Sequence, residues 1–292
     1  MLIPDSIAGC GSRLGQATID LRHGAWNGVW LNAGVTGRRL ETRGDDSVKP
    51  VVFLVGADKG GVGKTTIART LLDYLPTKGV AARAFDTEFP RGTLKRFFPK
   101  VTEVVDITTA ADQMKVLDTL TTSEVKISTV DVRAGALLNT LKTFTDVGFF
   151  DLCRAGEFNF VLFHVIGPSV ASLEEIAEVL PYTDGQHYFV VKNFINETSF
   201  FDWHPEIQKG YFKLVKNAVE VTIPKLNELA YEQAELGGVP FSTFIANKTV
   251  QGQNANYSLV LRGYVRTWLS QISAEYDRIH LVDRLSGNSG SV

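Results

Sequence analysis

The chain alternates between short apolar runs with no internal period and segments whose apolar residues recur every three or four positions. "PVVFLV" (50–55) is β-branched and unbroken, which predicts a strand buried on both faces. The segment "TTIARTLLDYL" then sets Ile67, Leu71, Leu72 and Leu75 at helical spacing. Further strands are predicted in "GVAARAFDTEF", "VKISTVDVRAGAL", "FNFVLFHVIGPS", "QHYFVVKNFINE" and, near the C-terminus, "VPFSTFIAN". "GPSVASLEEIAEVL" reads as a helix, and "YSLVLRGYVRTWLSQISAEY" as a closing one. This alternation predicts an α/β fold: a doubly wound, mainly parallel sheet with helices on both faces, in a single domain over residues 50–292. The least regular stretch, about 197–238, is rich in aromatics ("TSFFDWHPEIQKGYF"). It is expected to be an insertion packed on its own domain, helical at "NELAYEQAEL". His204 within it has no companion at metal-ligand spacing.

Between the first strand and the first helix stands "VGADKGGVGKTTIART". Gly56, Gly60, Gly61 and Gly63 would weaken a helix or strand, but they let successive backbone N–H groups turn inward on an anion. The helix that starts near Lys64 adds the positive end of its dipole. In this setting Lys64 reaches the β and γ phosphates of a nucleotide, and the Thr65 hydroxyl can ligate Mg²⁺. The general pattern G-x-x-x-x-G-K-[ST] is not met strictly, because Asp58 occupies the first glycine position.

What is present, K-G-G-V-G-K-T-T, resembles the deviant Walker A motif of the ParA/MinD family of P-loop ATPases. The resemblance implies that Gly60, Gly61, Val62, Gly63, Lys64, Thr65 and Thr66 cradle ATP. It implies also that the extra lysine, Lys59, reaches the partner's phosphates across a nucleotide-sandwich homodimer, joining Lys64 in catalysis. "DTEFPRG" resembles the family's first switch. There Asp86 is the residue expected to orient the attacking water or hold the hydrated metal, with Glu88 in place of a second Asp. Asp131, followed by Gly135, resembles the Walker B carboxylate and second switch, with Asp131 on the metal's water shell and the Gly135 N–H sensing the γ-phosphate. Arg133 between them is expected at the surface. The metal set implied is Thr65, Asp86 and Asp131. Asn193, after a later strand, is the expected adenine contact. "FNFVLFHVIGPS" is the rival Walker B run, but His164 would replace the carboxylate there. The resemblance covers about residues 50–275.

Composition narrows the function. At 44% hydrophobic and 21% charged, with no apolar run long enough to span a bilayer, the chain reads as cytoplasmic, without a membrane partner. Cys10 and Cys153 fit a reducing compartment with no disulfide framework. Residues 1–49 hold eight of the 26 glycines in an aperiodic polar mix, which predicts a disordered extension or a start assigned too early. No methionine lies between Met1 and Met114, which points to a non-ATG start at Val48, while "AWNGVWLNAGV" keeps open an extension that docks on a partner. Residues 51–292 carry 24 basic and 27 acidic side chains, so charge lends no support to a DNA partner, although Arg262 and Arg266 share a helix face, with Lys213 and Lys216 near in sequence. The polar tail "VDRLSGNSGSV" disfavours a membrane helix. The expected function is an ATP-dependent dimeric switch that hydrolyses ATP with Mg²⁺ and positions DNA or protein cargo, with DNA or an adaptor protein as partner. Two alternatives stay open: a small-molecule ATP-dependent enzyme of the same superfamily, and a nucleotide-dependent partner module, such as a conjugative-transfer accessory, with little hydrolysis.

Overall fold

In the computed structural model, residues 49–167, 170–194, 205–214 and 218–285 are described. The expectations for residues 1–48, Cys10 and the Val48 start among them, and those for His204 and Lys216, lie outside the described residues. The elements run β1 (Val51–Gly56), α1 (Lys64–Thr77), β2 (Ala82–Asp86), α2 (Thr93–Phe97), β3 (Thr102–Val104), α3 (Ala110–Leu117) and α4 (Thr119–Thr122). They continue β4 (Ile127–Asp131), α5 (Leu137–Asp146), α6 (Phe149–Arg154), β5 (Asn159–Ile166), α7 (Val170–Val179), β6 (His187–Asn193) and α8 (Pro205–Leu214). β7 (Val219–Ile223), α9 (Glu228–Gly237), α10 (Phe241–Ile245), α11 (Leu259–Arg278) and α12 (Leu281–Leu285) close the chain.

Among the described residues seven strands form one parallel sheet in the order β3-β2-β4-β1-β5-β6-β7. The unbroken apolar run therefore sits at the centre, between β4 and β5, where both faces of a strand are covered. Alternation along β1 sends Val51, Phe53 and Val55 to the core under α1, α9, α10 and α11. Val52 and Leu54 join the opposite core, which includes Phe144, Phe149 and Phe160. With strand and crossover helix alternating, all strands end at one edge, the place where doubly wound sheets bind ligands. Val55 and Asp86 both pair with Asp131 in the ladder, and Gly56 pairs with His164. The fold is an α/β P-loop fold: central strand, glycine loop, helix.

Two expectations are corrected. "VPFSTFIAN" is not a strand; its Phe241–Ile245 segment is helix α10, which buries Phe241 and Phe244. Those two rings stand three apart, and Asp73 of α1 accepts the N–H groups of Phe241 and Ser242 at 2.9 and 3.3 Å, fixing the helix start. The last strand is instead β7, within the stretch read as an insertion. Val219, Val221 and Ile223 alternate there at the sheet edge, where one face is covered and a short run suffices. Among the described residues no helix is long and apolar enough to cross a membrane.

Candidate functional site

Gly61 and Gly63 take φ of 73° and 93°, left-handed values that other residues adopt only with strain, and so turn the chain from β1 into α1. Gly63 is the N-cap of α1 and offers no side-chain cap, which leaves the first-turn N–H groups to face an anion. Gly60 lies on the exposed side of the loop and Val62 is buried beneath it. The Lys64 side chain is buried, its Nζ donating to the Lys59 carbonyl at 2.8 Å. Burial lowers its pKa, while Asp131, Glu175, Asp58 and Glu88 counter that effect. In front of the loop lies a cavity of about 680 Å³. Gly61, Gly63, Lys64, Thr65 and Thr66 line it from one side, Asp86, Glu88, Arg91, Asp131 and Arg133 from the ends of β2 and β4 and the segments after them, and Tyr231 from α9.

The ladder register brings Asp86 and Asp131 to one edge, yet their surroundings differ. Asp86 is fully engaged by backbone: Oδ1 accepts from the Glu88 N–H at 2.9 Å, and Oδ2 from those of Leu94 and Lys95 at 2.6 and 3.1 Å. The carboxylate thus organises the turn 86–95 that leads into α2, a task its position in sequence did not announce. Glu88, also on the cavity wall, accepts from the Thr93 hydroxyl.

Asp131 is buried, and its Oδ1 has no hydrogen-bond partner among the described residues. Burial pushes its carboxyl up to about 8; Asp86 and Glu88 add to the shift, while a hydrogen bond from Thr65 and the charge of Lys64 oppose it. An acceptor without a partner beside a hydroxyl and a phosphate loop suits a hydrated divalent cation. Among the described residues no cluster of three or more His, Cys, Asp or Glu could hold a metal alone. A cation at this place would complete its shell with phosphate and water, as Mg²⁺ does.

The remaining candidates are placed around the loop. The cavity lining includes Lys64 but not Lys59, which is exposed. The Lys59 ammonium lies on the β5 side, 3.7 Å from where a Cβ on Gly167 would stand. Asn193, at the end of β6, is buried and donates from Nδ2 to the Val62 carbonyl at 2.8 Å, so it braces the loop from below. The Gly135 N–H is engaged by the Asp58 carbonyl at 2.9 Å, and Asp58 Oδ1 accepts from the Leu137 N–H at 2.7 Å. Asp58, which breaks the general glycine pattern, therefore ties the loop to the segment between β4 and α5. Arg262 is directed to the Ile245 carbonyl at 3.3 Å, whereas Arg266 and Lys213 are exposed. Burial pushes the Cys153 thiol up to about 12, which suits an unreactive thiol.

Residues that sequence reasoning missed are Tyr231, Arg91 and Glu175. The Tyr231 hydroxyl meets Thr66, and burial raises its pKa. Glu175 Oε1, on α7, accepts the Asp58 N–H at 2.6 Å and meets His164 Nε2 at 3.0 Å. One signal was available for that pair: a histidine inside an apolar strand run needs a buried partner.

No protein-family model and no curated protein matches the chain. Among solved structures it is similar to a nucleotide-binding protein in complex with ADP from Archaeoglobus fulgidus, with 14% identity and a TM-score of 0.45 over 64% of this chain and 87% of that one. It is similar also to the septum site-determining protein MinD complexed with Mg-ADP from Pyrococcus horikoshii, at 14% identity and a TM-score of 0.49 over 79% and 97%. A third is MinD in the MinC:MinD cell division complex of Aquifex aeolicus, at 15% identity and a TM-score of 0.43 over 76% and 96%.

Proposed function

We propose that this chain is a ParA/MinD-like ATPase that binds ATP with Mg²⁺ in the 680 Å³ cavity and uses the bound nucleotide to form a homodimer. The observation that carries the reading is the pairing of the phosphate loop with Asp131, a buried carboxylate whose free oxygen stands beside Thr65. Backbone N–H groups of residues 60–66 and the Lys64 ammonium meet the phosphates, and Thr65 and Asp131 hold the hydrated cation. When bound, Mg²⁺ neutralises phosphate charge that the loop alone leaves uncompensated. Asp86 keeps the first switch in place through its backbone contacts and stands at the edge where attacking water would enter. Asn193 braces Val62 through Nδ2 and stands at the end of β6, where the adenine contact is expected.

Lys59 supports the dimeric reading. Its ammonium points along the β5 side and leaves its own cavity to Lys64, as a residue acting on the partner's nucleotide requires. In a sandwich dimer two polyphosphates face each other, and a cation supplied in trans lowers their repulsion. Hydrolysis then dissolves the dimer, and positioning of DNA or protein cargo in the cytoplasm follows from that cycle.

Light scattering with ATP, ADP and no nucleotide tests this reading. Wild type is expected to dimerise only with ATP, and Lys59→Ala to bind ATP normally while losing both dimerisation and hydrolysis. A wild-type protein that stays monomeric at saturating ATP while turning it over would replace the switch with a small-molecule ATP-dependent enzyme.

A further inference from the structure

On the side of the phosphate loop opposite the cavity lies a chain of three buried polar side chains. The Tyr188 hydroxyl stands 2.9 Å from His164 Nδ1, and His164 Nε2 stands 3.0 Å from Glu175 Oε1. The same oxygen takes the Asp58 N–H at 2.6 Å, and the carboxylate also accepts the N–H of Lys59. His164 is 0% exposed, Tyr188 6% and Glu175 8%. Three different elements contribute: β6 gives Tyr188, β5 gives His164 and α7 gives Glu175. With a proton on Nε2 the imidazole donates to the carboxylate, and the Tyr188 hydroxyl is within hydrogen-bond reach of Nδ1. Burial opposes ionisation of Glu175, but the bond and the charge of His164, with the bonds from the Asp58 and Lys59 N–H groups, outweigh it and hold its carboxyl below the usual range.

We propose that Glu175, oriented by His164 and Tyr188, is a positioning residue for the phosphate loop, pinning the Asp58 and Lys59 peptides so that the anion-binding nest begins at Gly60 and Lys59 leaves the loop toward β5. Two N–H groups turned toward Glu175 cannot join the nest, so the carboxylate sets which donors face the phosphates. The loop needs such an anchor because Gly60, Gly61 and Gly63 lose more backbone freedom on ordering than other residues. An anchor that fixes the loop before ligand arrives removes part of that cost from binding. The His164–Gly56 register places the relay directly beside the residue that opens the loop.

The use made of this anchor rests on the nucleotide-binding reading, but the anchoring itself is tested without nucleotide. Amide hydrogen exchange of the segment 56–66 in the full, nucleotide-free chain is expected to rise about tenfold or more in Glu175→Ala, the loss of a charge-assisted hydrogen-bond hub. Glu175→Gln keeps an acceptor oxygen and is expected to rescue most of that protection, with Tyr188→Phe changing it least. ATP affinity by calorimetry should follow the same order, falling about tenfold in Glu175→Ala. Exchange unchanged in Glu175→Ala, or in Glu175→Met, which keeps the side chain's length but no acceptor oxygen, should the alanine variant not fold, overturns the proposal. An anchor that behaves as expected in a wild-type chain that binds no ATP would uphold it and overturn the nucleotide reading instead.

Discussion

The two flanks of the central strand each bury a carboxylate against the phosphate loop, and they treat it in opposite ways. On the β4 side Asp131 keeps an oxygen without a partner, and burial drives its carboxyl up to about 8. On the β5 side Glu175 collects His164 and two peptide N–H groups, and its pKa falls. Burial alone does not decide the charge of a carboxylate; the donors that surround it do. The first leaves an acceptor open toward the cavity, and the second ties two elements and the loop together.

Lys64 stands near both carboxylates and offers the largest test. Lys64→Ala is expected to weaken ATP binding roughly 100-fold or more, the loss of two charge-assisted bonds at about 1.5–3 kcal/mol each. Calorimetry that finds unchanged affinity would remove the phosphate-loop assignment and with it the shared purpose of the two flanks.

The flanks should next separate by sign. Asp131→Asn replaces a buried acid whose ionisation burial opposes with a neutral amide, and is expected to stabilise the nucleotide-free chain at pH 8 by roughly 1–3 kcal/mol, the scale of a buried polar group's desolvation. The same change should abolish any gain in ATP affinity on adding Mg²⁺. Glu175→Gln is expected to destabilise by about 1–2 kcal/mol, because a satisfied charge is lost. Urea unfolding of both variants reads the two signs, and equal signs would break the comparison.

The pH profile sharpens it further. The folded pKa of Asp131 lies above its ordinary 3.8, so the stability it contributes is full below that value and is lost as pH rises through about 8. Glu175 has a lowered pKa, so its contribution is present above its ordinary 4.5 and is lost as pH falls through the folded value. Thermal unfolding of the nucleotide-free chain should therefore show a decline between about pH 4 and 8 that Asp131→Asn flattens and Glu175→Gln does not. The smallest effect is expected at Asp86: Asp86→Asn keeps one acceptor oxygen for the turn 86–95 and should cost about 0.5–1.5 kcal/mol.

Legibility followed the range of the interactions. The central strand, the glycine loop and α1 were readable because each rests on local pattern: an unbroken β-branched run, glycines where φ turns positive, apolar residues at helical spacing. Asp131 was readable as a strand-end acid followed by Gly135. What was misread depended on distant partners. Phe241–Ile245 looked like a strand until Asp73, far away in sequence, fixed it as a helix start. β7 lay hidden in a stretch whose aromatics suggested an insertion.

The roles of Asp86, Asn193 and Glu175 show the same division most clearly. Sequence determined that acids and an amide would stand at the ends of strands or on a helix after one, and it determined the loop they serve. Only the tertiary structure decided that Asp86 would be consumed by the turn ahead of α2, that Asn193 would brace Val62, and that Glu175 would meet His164 across eleven residues and Asp58 across 117. The physical reason is that a carboxylate's behaviour depends on how many donors reach it and how much water is excluded, and both are properties of the packed chain.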